Sequence, residues 1–363
     1  MLRSLLVTLV AGNVAFAAQP LPSILTPHFV VPKEFAGQGG NYTSPLQFPD
    51  GAVAKTPAQW QERRQEILKQ WHGLMGAWPA LLQQPKLEIL ETIRRENFTQ
   101  HKVRVPFAEG QTVAGFLLVP DGKGPFPAVL VPFYDAETGA GLGKAGRDFG
   151  YQLTRRGFVS LSIGSPSGDA RKPEPGRPQW QPLSFLAYGA INCHTLLARL
   201  PNVDGARIGV VGHSYGGKWA MFASCLSEKF ACAVWSDPGI VFEEARSNIN
   251  YWEPWYLGRD ANLARKPGVV TAANPRTGAY KTMMESGRDL HELHVLMAPR
   301  PFLVSGGSED PPRRWQSLHH SIAANKILGT ENRVAMTNRP AHDPTPESNA
   351  VIYAFFEHFL GGK

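Results

Sequence analysis

Hydrophobic positions change their period along the 363 residues. In "TPAQWQERRQEILKQWHGLMG", which starts at Thr56, residues Trp60, Ile67, Leu68, Trp71 and Leu74 recur at helical spacing. Thr56 suits an N-cap and Pro57 the first helical position. The stretch before it, 18–55, is rich in Pro, Gly and polar residues and reads as an extended arm. From about residue 87 the period shortens to that of strands. "HKVRVPF" and "QTVAGFLLVP" are joined by Ala108-Glu109-Gly110, which predicts a hairpin. "FPAVLVPFYD" is a short, almost continuous apolar run, the pattern of a strand buried on both faces. Strands "FVSLSIG", "RIGVVGH", "FACAVWSD", "RPFLVSGG" and "RVAMTN" follow. Helical segments "AGRDFGYQLTRRG", "LSFLAYGAINCHTLLARL", "GKWAMFASCL" and "WQSLHHSIAANKIL" alternate with them, and "SNAVIYAFFEHFL" closes the chain. A leading antiparallel pair followed by strand–helix alternation predicts an α/β fold, with a mostly parallel open sheet flanked by helices. The rhythm breaks at about 239–298, which holds "NINYWEPWYLGRD" and the Pro/Gly-rich "KPGVVTAANPRTGAY". Long connections of this kind are usually functional, and this one is expected to hang over the strand ends where ligands bind.

One junction carries chemistry. In "GVVGHSYGGKWAMF" (209–222), Gly212, Ser214 and Gly216 sit where an apolar strand gives way to a helix. A very tight strand-to-helix turn strains its middle residue and lifts that side chain clear of the sheet. Its neighbours two positions away must then be small, because they press together. A bare G-x-S-x-G recurs by chance; the strand before and the helix after distinguish this one. Ser214 is therefore the candidate nucleophile.

A serine hydroxyl needs a base, and after this kind of turn the base comes last in chain order. His342, in "NRPAHDPTPE", lies between the final strand and the final helix and fits that place. His213 adjoins Ser214, but adjacent side chains leave a turn in different directions, so it reads as structural. The base needs a carboxylate to fix its tautomer. Asp310, in "FLVSGGSEDPP", follows the next-to-last strand and is preferred, with Glu309 a minor rival. Asp237, in "VWSDPG", follows the strand after the turn's helix and is the alternative acid. The oxyanion requires two amide donors. The N–H of Tyr215 is one, and the end of "VLVPFYD", at Tyr134, is expected to supply the other. "DLHELH" offers His291, Glu292 and His294, but the spacing is not H-E-x-x-H and no third ligand is evident, so no metal is expected. No cofactor is required.

Composition narrows the setting. Hydrophobic residues make up 43% of the chain and charged residues 18%, which describes a folded globular protein with ample core. Residues 1–17 read as a secretory signal peptide. "MLR" carries the positive charge, "SLLVTLVAG" is the apolar run, and Ala15-Phe16-Ala17 is a small-x-small cleavage site. No later stretch is long and apolar enough to span a bilayer, so a secreted or periplasmic protein without integral membrane association is expected. The net charge of +7 suits anionic polymers or surfaces. The basic residues are scattered, with no run interleaved with aromatics, which argues against nucleic acid. Cys193, Cys225 and Cys232 lie among apolar neighbours, and the odd count leaves at least one thiol free.

At this point a family resemblance is visible. The chain resembles α/β-hydrolases of the carbohydrate-esterase type, in particular glucuronoyl esterases and their acetylxylan-esterase-like and dienelactone-hydrolase-like neighbours. "GHSYGGKWA", "NINYWEPWYLG" and "DLHELHVLMAPRPFLVSGGSED" carry the likeness, and "DGAVAKTPAQWQERRQEIL" adds to it. The resemblance covers most of the chain after the signal segment. It implies sugar contacts by Lys218, Trp252 and Trp255, and it allows the acid at the position of Asp237. Glucuronoyl esterases carry cysteine before the nucleophile and arginine after it; here those places hold His213 and Tyr215. That departure weakens the case for a uronate ester and leaves ester hydrolysis intact.

The expected organisation is a signal peptide (1–17), an N-terminal arm and helix (18–86) and an α/β-hydrolase domain (87–363). The expected function is a serine ester hydrolase acting on acylated or esterified saccharides, such as acetylated xylan or glucuronoyl esters. A prolyl-oligopeptidase-like peptidase would need a large gating domain, which the short arm cannot supply. A non-catalytic carbohydrate-binding protein on a hydrolase scaffold would not need a Ser/His/acid set. Acyl group, sugar and oligomeric state are not legible in the sequence.

Overall fold

The computed structural model describes residues 20–166, 180–246, 256–260, 262–263 and 268–361. Residues 1–17 and the two tryptophans Trp252 and Trp255 lie outside the described residues. Helix α1 (Pro57–Met75) starts as expected: Thr56 and Gln59 form a reciprocal capping box, with Pro57 at the first helical position. Its buried face is Trp60, Arg63, Arg64, Ile67, Trp71 and Met75. The arm before it is docked on the body. Gly39 and Thr43 carbonyls are bonded to His320 and His291 ring nitrogens at 3.0 and 2.7 Å, and Pro45 O accepts from Arg63.

Among the described residues, nine strands form one sheet in the order β1-β2-β3-β5-β4-β6-β7-β8-β9. They are β1 (Glu88–Arg95), β2 (Phe98–Ala108), β3 (Gln111–Pro120), β4 (Phe126–Pro132), β5 (Val159–Ile163), β6 (Val203–His213), β7 (Cys232–Ser236), β8 (Phe302–Gly306) and β9 (Val334–Asn338). The expected hairpin is β2–β3, in register Ala108↔Gln111, with Gly110 at φ 71° in the turn. The sequence pattern did not mark β1. All but one of its residues are exposed, so no buried face imposes alternation; pairing with β2 alone makes it a strand. β3 pairs with β5 antiparallel, and every pairing from β5 across to β9 is parallel.

Helices α2 (Ala136–Gly139), α3 (Phe149–Thr154), α4 (Pro182–Leu197), α5 (Tyr215–Leu226), α6 (Gly278–Glu285), α7 (His291–His294), α8 (Trp315–Ile327) and α9 (Pro346–Leu360) connect or flank the strands. Strand alternation divides the core in two. Val129, Val131, Val211, Val234, Leu303 and Ala335 pack with α3 and α9 on one face. Leu130, Leu161, Val210, Ala233, Val304 and Met336 pack with α1, α4, α5 and α8 on the other. The chain steps from β4 to β5 on one side, then returns to β6 on the opposite side of β4. Such a reversal opens a crevice at the carboxyl ends of the strands, and the ends of β4 and β6 meet there.

Candidate active site

Ser214 stands between β6 and α5 at φ 55°, ψ −117°. That conformation is costly for a residue with a side chain and persists only where the surroundings impose it. Here they do. Ser214 N–H donates to Ser236 O at 2.8 Å, and Ser214 O accepts from Lys218 N–H at 2.9 Å. A Cβ on Gly212 would lie 2.1 Å from Gly216 O, and one on Gly216 would lie 2.1 Å from Pro132 O. The two glycines thus allow β4, β6 and α5 to close around the serine. Gly216→Ala is expected to destabilise the fold by about 4 kcal/mol or more, because the added Cβ overlaps the Pro132 carbonyl and backbone at the end of β4 must move. Denaturant unfolding would check this, and a loss under about 1 kcal/mol would contradict the packing argument.

His342 lies in the loop between β9 and α9, whose N-terminus is fixed by a Thr345–Ser348 capping box. Its Nε2 is 2.9 Å from Ser214 Oγ and its Nδ1 is 2.7 Å from Asp237 Oδ2. The carboxylate accepts from Nδ1–H, which leaves Nε2 as the acceptor facing the serine hydroxyl. The preference for Asp310 as the acid partner is therefore corrected: Asp237 reaches the ring. Asp310 Oδ2 and Oδ1 instead accept from Gly239 N–H and Ile240 N–H at 2.8 and 2.6 Å. Burial, and then the charge of Asp237, push the Asp310 carboxyl up to about 6. The reason is geometric. Asp237 stands at φ 49° directly after β7, so its carboxylate turns beneath the 307–310 loop. There Oδ1 accepts from Gly307 N–H at 2.6 Å and Asp310 N–H at 2.9 Å, Glu309 N–H is shared between the two oxygens at 3.2 and 3.3 Å, and Oδ2 faces the histidine. A Cβ on Gly307 would lie 2.6 Å from Asp237 Oδ2. Glu309 pairs with Arg246 and also does not reach the ring.

Arg339 escaped the sequence reading, although it stands only three residues before His342. Its buried guanidinium donates to His342 O at 2.6 Å, Asp343 O at 2.8 Å and Ser305 O at 2.8 Å, which pins the histidine loop to β8. His213 has the structural position expected of it. It is buried, with Nδ1 3.1 Å from Ser236 Oγ and its ring 4.6 Å from that of His342. Burial and the neighbouring His342 hold it well below the usual histidine range.

Tyr215 is the first residue of α5, where helix N–H groups lack intrahelical acceptors. Its ring is buried and stacks on that of Tyr134 at 4.4 Å. Phe133 O accepts from Ser165 Oγ at 3.4 Å, so the trans peptide aims Tyr134 N–H to the opposite side. The two candidate amides thus follow the ends of β4 and β6.

Lys218, for which the family resemblance implies a sugar contact, is buried on α5. It is 0% exposed, and its Nζ donates to Gly239 O at 2.5 Å. Helix spacing places it one turn beyond Ser214, and α5 is buried along its whole length, so the side chain points inward. Trp252 and Trp255 fall outside the described residues, but the insertion returns at Tyr256, whose ring lies 5.6 Å from Tyr215. His291 bonds to the Thr43 carbonyl, and Glu292 accepts from Arg288 and Trp71. Among the described residues no group of three or more His, Cys, Asp or Glu side chains could hold a metal. The three cysteines are free and buried, and burial pushes each thiol well up.

A nine-stranded sheet, a strained serine at its strand-to-helix corner and a histidine and carboxylate in reach define an α/β-hydrolase. The chain resembles carbohydrate esterases of that fold. A family model described as Esterase FrsA-like matches residues 88–244. A curated carbohydrate esterase of an unknown prokaryotic organism is 23% identical over 201 residues, 53% of this chain and 42% of that protein. The chain thus aligns with about two fifths of the length of that relative. Among solved structures, a glucuronoyl esterase from Solibacter usitatus superposes with a TM-score of 0.71 at 17% identity, covering 89% of this chain and 98% of the other. A putative acetyl xylan esterase from Bacteroides fragilis NCTC 9343 superposes with a TM-score of 0.58 at 16% identity, covering 86% of each.

Proposed function

We propose that this chain is an exported serine ester hydrolase acting on acylated or esterified saccharides. The observation that carries the reading is the continuous set of contacts from Ser214 Oγ through His342 to Asp237. In the reaction, Ser214 Oγ attacks the ester carbonyl carbon while His342 Nε2 takes its proton. The tetrahedral oxyanion is received by the amides of Tyr215 and Tyr134. His342 returns the proton to the departing alcohol, and an acyl-enzyme remains. Water, deprotonated by the same nitrogen, then releases the acid and restores Ser214. Asp237 fixes the tautomer and stabilises the imidazolium formed at each step. No step calls for a cofactor.

The saccharide substrate follows from likeness to carbohydrate esterases, from the net positive charge and from the tryptophan-rich insertion. A panel of acetyl, feruloyl and methyl-glucuronate esters tests it. Turnover of saccharide esters no better than that of simple aryl acetates would remove the saccharide and leave a general esterase. Tyr215 in place of arginine favours acyl saccharides over uronate esters within that panel. Export is a separate expectation. Protein recovered from a secreting host should begin at Ala18, read by N-terminal sequencing, and retention of Met1 would contradict it.

A further inference from the structure

Two fully buried charged residues grip two successive peptide units behind the relay. Gly239 lies two residues after Asp237, in the turn that leaves β7. Its N–H donates to Asp310 Oδ2 at 2.8 Å, and its carbonyl accepts from Lys218 Nζ at 2.5 Å. The next amide, Ile240 N–H, donates to Asp310 Oδ1 at 2.6 Å. The grip is reciprocal, because Asp310 N–H donates to Asp237 Oδ1 at 2.9 Å. Asp237 is itself held at φ 49°, a conformation its own backbone does not favour.

Burying a lysine and a carboxylate opposes folding, and apolar residues of the same shape would serve a core better. This pair therefore calls for a role beyond stability. Lys218 comes from α5 and Asp310 from the loop after β8, so the turn is fastened from two independent elements. We propose that Lys218 and Asp310 are positioning residues that clamp the 238–240 turn and thereby hold Asp237 against His342. This rests on reading Ser214, His342 and Asp237 as the catalytic relay. It gives Lys218 a role other than the sugar contact that the family resemblance implies.

The test uses Lys218→Met and Asp310→Asn, alone and combined with Asp237→Asn, on a small chromogenic acetate. The groups facing His342 are Asp237 from the end of β7, His213 and Ser214 from the end of β6, and Arg339 from the end of β9, with the Arg147–Asp343 pair beside it. All of them except Asp237 stay as they are. Each single variant is expected to lower kcat about 10–100-fold, the cost of a displaced catalytic group. KM for the acetate should change less than about twofold, since ground-state binding is untouched. The acid limb of the kcat/KM profile should move to lower pH in both, because a loosened Asp237 stabilises the imidazolium less. In the Asp237→Asn background either change should cost less than about twofold, because its target is already gone.

A direct charge effect gives a different result: the limb would rise when the cation is lost and fall when the anion is lost. Opposite shifts, additivity with Asp237→Asn, or a KM rise confined to saccharide esters would each overturn the clamp. If either core variant fails to fold, exposed Asn338→Ala removes the 2.8 Å bond from Nδ2 to Asp310 O. It should lower kcat about two- to fivefold with the same sign of limb shift, and an unchanged kcat there counts against the proposal. Wild-type activity in Lys218→Met and Asp310→Asn beside an inactive Asp237→Asn would reject the clamp alone. Activity retained in Asp237→Asn would reject the relay itself.

Discussion

Ser214→Ala is expected to lower kcat/KM for an aryl acetate by about 10⁴-fold or more. In the proposed reaction the serine forms and breaks the covalent bond, and among the described residues Ser214 supplies the hydroxyl bonded to His342 Nε2. Asp237→Asn is expected to cost about 10⁴-fold as well, because an amide at this position favours the wrong tautomer of His342. Asp310→Asn, at the position sequence reasoning preferred, should cost far less, since its oxygens bond backbone amides and not the ring. The ranking of the two carboxylates is the sharpest part of this prediction. A serine-directed phosphonate followed by peptide mapping should mark Ser214 alone. Labelling elsewhere, or an Asp310→Asn variant as inactive as Asp237→Asn, would remove the assignment.

Acid should destabilise this protein over a defined window. Burial holds His194, His291 and His320 down at about 4, against 6.5 for an unfolded histidine. His213 and His294 lie well below the ordinary value for the same first reason. Above pH 6.5 neither state binds the proton and nothing is lost. As pH falls below 6.5 the unfolded chain takes up protons that the folded chain refuses, so stability drops until about pH 4. Each of the three then costs on the order of 3 kcal/mol. Asp310 works in the opposite direction, because its raised carboxyl protonates in the folded state first, below about 6. One group does not offset five. At pH 5 the three histidines held near 4, less the opposing share of Asp310, leave a net loss on the order of 5 kcal/mol, equivalent to a fall in Tm of roughly 5–10 °C for a chain of this size. Thermal melts by circular dichroism between pH 7.5 and 4.5 read it directly. A Tm flat across that range would mean that these histidines are hydrated and titrate normally. In His194→Leu the slope of stability against pH should shrink by about one proton.

Some of this was legible from the chain alone. The Thr56 and Pro57 start of α1, the Gly110 hairpin and the strand–helix alternation depend on neighbours within a few residues. A local pattern states them fully. The serine corner is local in the same sense: Gly212 and Gly216 bracket Ser214 because a strand must become a helix within that span, and no long-range contact is needed to see it. His342 was legible through chain order, since one loop separates the last strand from the last helix.

Strand β1, the acid and the lysine belong to the other category. β1 has no buried face, so hydrophobic alternation could not mark it, and only hydrogen bonding to β2 makes it a strand. Asp237 and Asp310 both follow sheet strands and are both fully buried, and nothing in their local sequence ranks them. The ranking comes from the positive φ of Asp237 and from the loop amides at 307 and 310 that claim its other oxygen. Lys218 has the spacing of a residue that follows the nucleophile by one helical turn, and spacing cannot tell an outward turn from an inward one. Both faces of α5 are covered, and its ammonium reaches the Gly239 carbonyl. Short-range sterics and hydrogen bonding placed the nucleophile; only the meeting of β7, β8 and α5 in three dimensions chose the carboxylate that serves it.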